Sequence, residues 1–122
     1  MPTPPVNYRP IVLGCAAALM VVGATGARGS GTSLAECIEG ADFIANAAMS
    51  RDNGIGRAAF IARLEGDFAA IRAYPVALRW FVKDGDDERF LRAAAEDVFD
   101  RPLPPDRHRA AFFAACVGRA SA

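Results

Sequence analysis

Ser33-Leu34-Ala35-Glu36-Cys37-Ile38-Glu39-Gly40-Ala41-Asp42-Phe43-Ile44-Ala45-Asn46-Ala47-Ala48-Met49-Ser50-Arg51-Asp52-Asn53-Gly54 is the stretch that decides the fold class. It opens on a capping box. The Ser33 hydroxyl can accept from the backbone N–H of Glu36, and the Glu36 carboxylate can reach back to the N–H of Ser33. Leu34, Cys37, Ile38, Ala41, Ile44, Ala45, Ala48 and Met49 then recur at three- and four-residue intervals, the stripe of an amphipathic helix. Asp52-Asn53-Gly54 ends it, because glycine takes a left-handed cap without strain. The spacing predicts a helix beginning at Leu34.

The same helical period continues downstream. A second helix is expected from about Arg57 to Tyr74, with Phe60, Ile61, Leu64, Phe68 and Ile71 as its stripe. On its outer face Arg63 and Asp67 stand four apart and are expected to pair. Pro75 either starts a third helix running to Lys83 or kinks the second. Val76-Ala77-Leu78-Arg79-Trp80-Phe81-Val82 is apolar nearly all round and is expected to be the most buried segment. A strand there would have nothing to pair with. Asp84-Gly85-Asp86-Asp87-Glu88 is an acidic turn whose carboxylates favour the start of a helix from about Asp87 to Phe99. Phe90, Leu91, Ala94, Ala95 and Val98 share one face of it. Arg101-Pro102-Leu103-Pro104 breaks the chain. A last helix from about Pro105 to Val117 points Phe112, Phe113, Cys116 and Val117 inward.

Composition agrees. The chain has 122 residues, 13 Arg against the single Lys83, and an alanine excess that favours helix. Fourteen basic residues balance fourteen acidic ones, so there is no basic stripe of a nucleic-acid binder. The expectation is an all-α bundle of four to five short helices.

The region before Ser33 reads as a leader. Met1 to Pro10 is polar with one basic residue, Arg9, and Ile11 to Ala24 carries no charge. Small residues follow, which completes the layout of a secretory signal peptide. The apolar run is shorter than the roughly 20 residues of a bilayer span. Cleavage is expected after Ala27, with Gly26 as the neighbouring site. The organisation is therefore a signal peptide over 1–27, a Gly/Ser-rich tether over 28–32, a helical domain over 33–118 and a frayed tail over 119–122. Two other readings stay open: a lipobox at Val12-Leu13-Gly14-Cys15, and an uncleaved anchor.

Cleavage removes Cys15 and leaves Cys37 and Cys116 in an oxidising compartment, where a disulfide is the default. The two lie near opposite ends of the helical region, and a bridge would staple those ends. A redox-active pair would show Cys-x-x-Cys spacing, which is absent. The mature chain of about 95 residues is small enough for such a staple to matter.

Chemistry is sparse. His108 is the lone histidine and reads as a partly exposed residue at a helix start. The run Asp84, Asp86, Asp87, Glu88 lacks the glycine placement of a calcium loop. Ser33 and Ser50 lack a nucleophile-elbow context. No dinucleotide or phosphate loop is present. No catalytic residue, metal ligand or cofactor is assigned. Two groups are candidates for partner binding: the polar corner Arg51-Asp52, and Arg79-Trp80-Phe81, which sets a cation beside two aromatics. Arg79 snorkelling from a packed core is the alternative.

Cys37, then Ser50-Arg51-Asp52-Asn53-Gly54, then Val98-Phe99-Asp100-Arg101-Pro102, then Phe112 and Cys116 together resemble a group of small exported bacterial helical proteins. In that group a first-helix cysteine, an RD-x-G corner and a last-helix cysteine recur. The resemblance spans Cys37 to Cys116 and implies a fold and a disulfide, with no activity. Arg79-Trp80-Phe81-Val82 lies outside the pattern. In outline the chain is also similar to periplasmic acid-stress chaperones and secretion-system immunity proteins, an analogy at fold level.

The expected function is a non-catalytic interaction protein, periplasmic or secreted, with a protein partner, no nucleic acid and no stable membrane span after cleavage. One alternative is a ligand- or metal-binding protein or enzyme that uses His108 with the acidic turn. A second is a membrane-anchored subunit that keeps its leader.

Overall fold

A computed structural model describes residues 32–121 together with Pro2. The predicted leader, Cys15 and nearly all of the tether lie outside the described residues. Among these there are four α-helices and no strand: α1 (Leu34–Asp52), α2 (Arg57–Arg72), α3 (Gly85–Asp100) and α4 (Pro105–Ser121).

Local chemistry sets the ends of each helix. Ser33 caps α1 by accepting from the Glu36 N–H at 3.1 Å. The reciprocal half of the capping box differs from expectation. One Glu36 carboxylate oxygen accepts from the Ser33 hydroxyl at 3.3 Å rather than from its N–H, and the other accepts from the Phe81 N–H at 2.8 Å, a contact between residues far apart in sequence. At the other end of α1, Gly54 sits at φ 94°. The Ile55 N–H reaches the Ser50 carbonyl and the Gly54 N–H reaches that of Arg51, each at 3.0 Å. This is a Schellman cap. Asp84 caps α3 by accepting from the Asp87 N–H at 2.9 Å. Pro105 occupies the first position of α4, where its missing N–H has no intrahelical partner to lose.

The predicted third helix is absent. Val76–Leu78 is one 3₁₀ turn, and the chain from Arg79 to Lys83 is irregular. Nor is the segment uniformly buried. Val76 is 55% and Leu78 72% exposed, whereas Phe81 and Val82 are in the core. The bundle takes in Phe81 and Val82 fully and Trp80 in part, and Pro75 starts a turn that holds Val76, Ala77 and Leu78 outside.

α4 lies along α1 and is its main partner; α3 packs on α1, and α2 is carried chiefly by α3. The core joins Ile44, Phe68, Phe81, Leu91, Val98 and Phe112. Small residues on α1 permit the close approach of α4. A Cβ on Gly40 would lie 2.6 Å from Phe112 Cε1. Of the predicted α1 stripe, Leu34, Ile38 and Met49 are exposed, and Gly40 and Ala47 are buried instead.

Cys37 and Cys116 form a disulfide with Cα atoms 5.6 Å apart, and both residues are fully buried. The expected staple between the first and last helices is present. α4 also continues past the point where fraying was expected. Arg119 donates to Asp87 at 3.0 Å and lies 4.1 Å over the Phe90 ring, which ties the last turn down.

Candidate functional site

The irregular segment between α2 and α3 exposes Tyr74, Val76 and Leu78 on one turn. Its anchor is Arg79. The guanidinium donates to three backbone carbonyls: Tyr74 at 2.9 Å, Lys83 at 3.0 Å and Arg72 at 3.1 Å. The Arg72 carbonyl is one of those left without an intrahelical donor at the end of α2. A planar fork of five donors suits this task, and the Arg79 donors are directed into the backbone rather than to solvent.

Phe81 anchors the other side. Its φ is 44°, uncommon for a bulky residue, and the Val82 N–H returns to the Trp80 carbonyl to close a tight three-residue turn. The turn sends neighbouring side chains to different places. Phe81 enters the core beside Phe112, with ring centroids 5.7 Å apart. Trp80 lies against Phe43 at 6.0 Å and donates its indole N–H to Glu39 at 2.6 Å. Such backbone costs on the order of 1–3 kcal/mol and persists only where surroundings over-determine it. Here burial of Phe81 and the Glu36 contact do so.

Between these anchors Ala73-Tyr74-Pro75-Val76-Ala77-Leu78 is exposed at every residue. The turn is held from within: the Leu78 N–H reaches Pro75 at 2.9 Å, and the Tyr74 N–H reaches Ile71 at 3.0 Å. The result is a preformed apolar projection. The sequence reading missed it, because an apolar run reads as core. Pro75 within the run was the available signal.

The other predicted site residues are placed as follows. Arg51 donates to the Val98 carbonyl at 2.7 Å and to the Leu103 carbonyl at 2.8 Å, and pairs with Asp52 at 2.9 Å. It joins the end of α1 to the end of α3 and the following loop. Asp52 remains mostly exposed. The two predicted groups are not brought together by a shared contact.

His108 is buried, at 3% exposure, rather than partly exposed. Its Nε2 lies 2.9 Å from the Arg101 carbonyl and 3.2 Å from the Leu103 N, so the ring packs into the α3–α4 connection. The acidic turn forms the opposite end of α3, roughly 20 Å away along the helix axis. There Asp87 is buried and meets the Lys83 N–H at 3.0 Å as well as Arg119. His108 and the acidic turn therefore do not share a site. Among the described residues no group of three or more His, Cys, Asp or Glu is placed to hold a metal. No helix among them is long and apolar enough to cross a membrane.

Two carboxylates show displaced ionisation. Arg72 hydrogen-bonds to Glu88 and holds its carboxyl below the ordinary range, against burial that works in the opposite direction. Asp97 is lowered likewise, first by its hydrogen bond to Arg101. The first pair joins α2 to α3, and the second is an i,i+4 pair that closes the end of α3.

A cleft of about 590 Å³ opens between α1 and α2. Phe43, Ala47, Ile55, Phe60 and Leu64 line it, with Arg63 and Asp67 on the α2 edge. The expected Arg63–Asp67 pair is not formed: neither makes an ion pair among the described residues. Arginine preceding aspartate by four is the less favourable order, which agrees.

The fold and surface define a disulfide-stapled four-helix domain that presents an apolar projection and an apolar cleft. Comparisons with known protein families, curated proteins and solved structures find no match.

Proposed function

We propose that the chain is a non-catalytic, exported helical interaction protein, and that it meets its protein partner through the Tyr74–Leu78 projection. The observation that carries this reading is the exposure of Tyr74, Val76 and Leu78 on a turn that Arg79 holds rigid. Contiguous exposed apolar side chains mark interaction sites. A preformed turn loses little further freedom on binding, which raises affinity. Export is supported by the leader pattern and by the buried disulfide, which suits an oxidising compartment. The inhibitor-like, immunity-like and chaperone-like forms of this reading share the projection as the contact.

The test is capture of partners from the exported fraction by the full chain, followed by mass spectrometry. A specific protein is expected at stoichiometric level. The double substitution Val76→Asp with Leu78→Asp should abolish capture and leave the circular dichroism melt unchanged, because neither side chain supports the core. Equal capture by the double variant, or none by the native chain, rejects the reading.

A further inference from the structure

We infer that the α1–α2 cleft is a self-association surface, covered by α2 of a second copy running antiparallel. The argument begins with charge. α2 carries five charged residues: Arg57, Arg63, Glu65, Asp67 and Arg72. Three are paired within the chain. Arg57 meets Asp100 at 2.9 Å, Glu65 meets Arg92, and Arg72 meets Glu88. Arg63 and Asp67 have no ion-pair partner among the described residues, and both stand on the edge of the cleft. Asp67 is the one acidic side chain among those residues for which no donor is found.

These two charges are opposite in sign and one helical turn apart on the same edge. That pattern is complementary to itself in one orientation. An antiparallel second copy, related by a two-fold that passes between the two copies of α2 level with Glu65, sets Arg63 against Asp67 of the second copy and Asp67 against Arg63 of the second copy. A parallel copy sets like charges together. An isologous two-fold contact needs this property, in which residue i meets j and j meets i. The apolar floor beside the charges supplies the rest. Ile55 is 43% exposed, and Phe43 and Phe60 are half-buried at the cleft. α2 has few other supports, since α3 is its main neighbour. This surface is separate from the Tyr74–Leu78 projection, and a dimer can still display that turn.

The experiment is light scattering of the full chain across a concentration series, with sedimentation equilibrium as the second measurement. A reversible dimer is expected. Arg63→Asp and Asp67→Arg should each raise its dissociation constant about tenfold or more, since each sets two like-charged contacts in place of two attractive ones. The double variant R63D/D67R should return to the native constant, because the swap restores both contacts. Ala59→Glu, at an exposed position on the cleft edge, should give monomer whose melt equals that of the native chain at concentrations below the native dissociation constant. A chain that stays monomeric to concentrations on the order of 100 μM overturns the inference. So does a double variant no tighter than the single ones. Val76→Asp should leave the dimer intact, so failure here is distinct from failure of partner capture.

Discussion

Gly40 shows how tightly α1 and α4 are fitted. Its missing side chain is where Phe112 sits, with Phe81 behind, and a Cβ would lie 2.6 Å and 2.9 Å from Phe112 ring carbons and 3.2 Å from the Phe81 ring. Neither ring is free to move, since both are buried among other aromatics. Gly40→Ala should therefore destabilise by about 1–3 kcal/mol, although alanine is the better helix former. Urea unfolding measures this, and a neutral or stabilising result would show that α4 can retreat. Arg51 is a second single-residue support. Arg51→Ala removes donors from two carbonyls at the end of α3 and its loop and should cost about 2 kcal/mol. Arg51→Lys should recover little, because one ammonium cannot reproduce a fork aimed at two carbonyls. Equal stability of the Lys variant would reduce Arg51 to a point charge.

At the scale of elements, the regular helices were readable because their chemistry is local. Ser33, Gly54, Asp84 and Pro105 act within a turn of themselves, and α1, α2, α3 and α4 lie close to the predicted spans. Residues 73–83 depend on distant groups. Phe81 is buried and turned by a carboxylate on α1, and Arg79 gathers carbonyls across the segment. Nothing in the order of Val76 to Val82 says which residues the other helices leave room for. The burial of His108 is set by the fold of the α3–α4 connection, whose Arg101 carbonyl its ring meets, and helical period alone does not carry it. Glu36 couples the two levels: its own helix start predicts a local cap, while packing directs it to Phe81. Glu36→Gln keeps a side-chain acceptor and should change stability by less than about 1 kcal/mol. Glu36→Ala leaves the Phe81 N–H without this acceptor and should cost about 1–3 kcal/mol. A small, equal effect of both would remove Glu36 as the support of that turn.

Around its apolar core the described domain is further held by the Cys37–Cys116 link and by several ion pairs, and these respond to different conditions. The Cys37–Cys116 bridge spans a sequence separation of 79 residues. Cys37→Ala with Cys116→Ala should lower stability by about 4 kcal/mol in the loop-entropy account. Full burial of both cysteines should delay reduction of the native fold until it opens. Acid acts on the ion pairs instead. Glu88 and Asp97 have folded pKa values below their ordinary 4.5 and 3.8, held down first by Arg72 and Arg101 respectively. Each carboxylate binds its proton less readily when folded. Their contribution is therefore fully present above about pH 4.5 and is lost as pH falls through the ordinary values toward the folded ones. Arg72 and Arg101 are more than half exposed, so solvent screening keeps each effect modest. Urea midpoints measured from pH 7 to pH 3 should stay level to about pH 5 and then decline. Glu88→Gln should flatten part of that decline while lowering the plateau. An unchanged slope in the variant would mean that the Arg72–Glu88 pair adds nothing to the folded state, and the acid response would then rest on Asp97 and the remaining carboxylates.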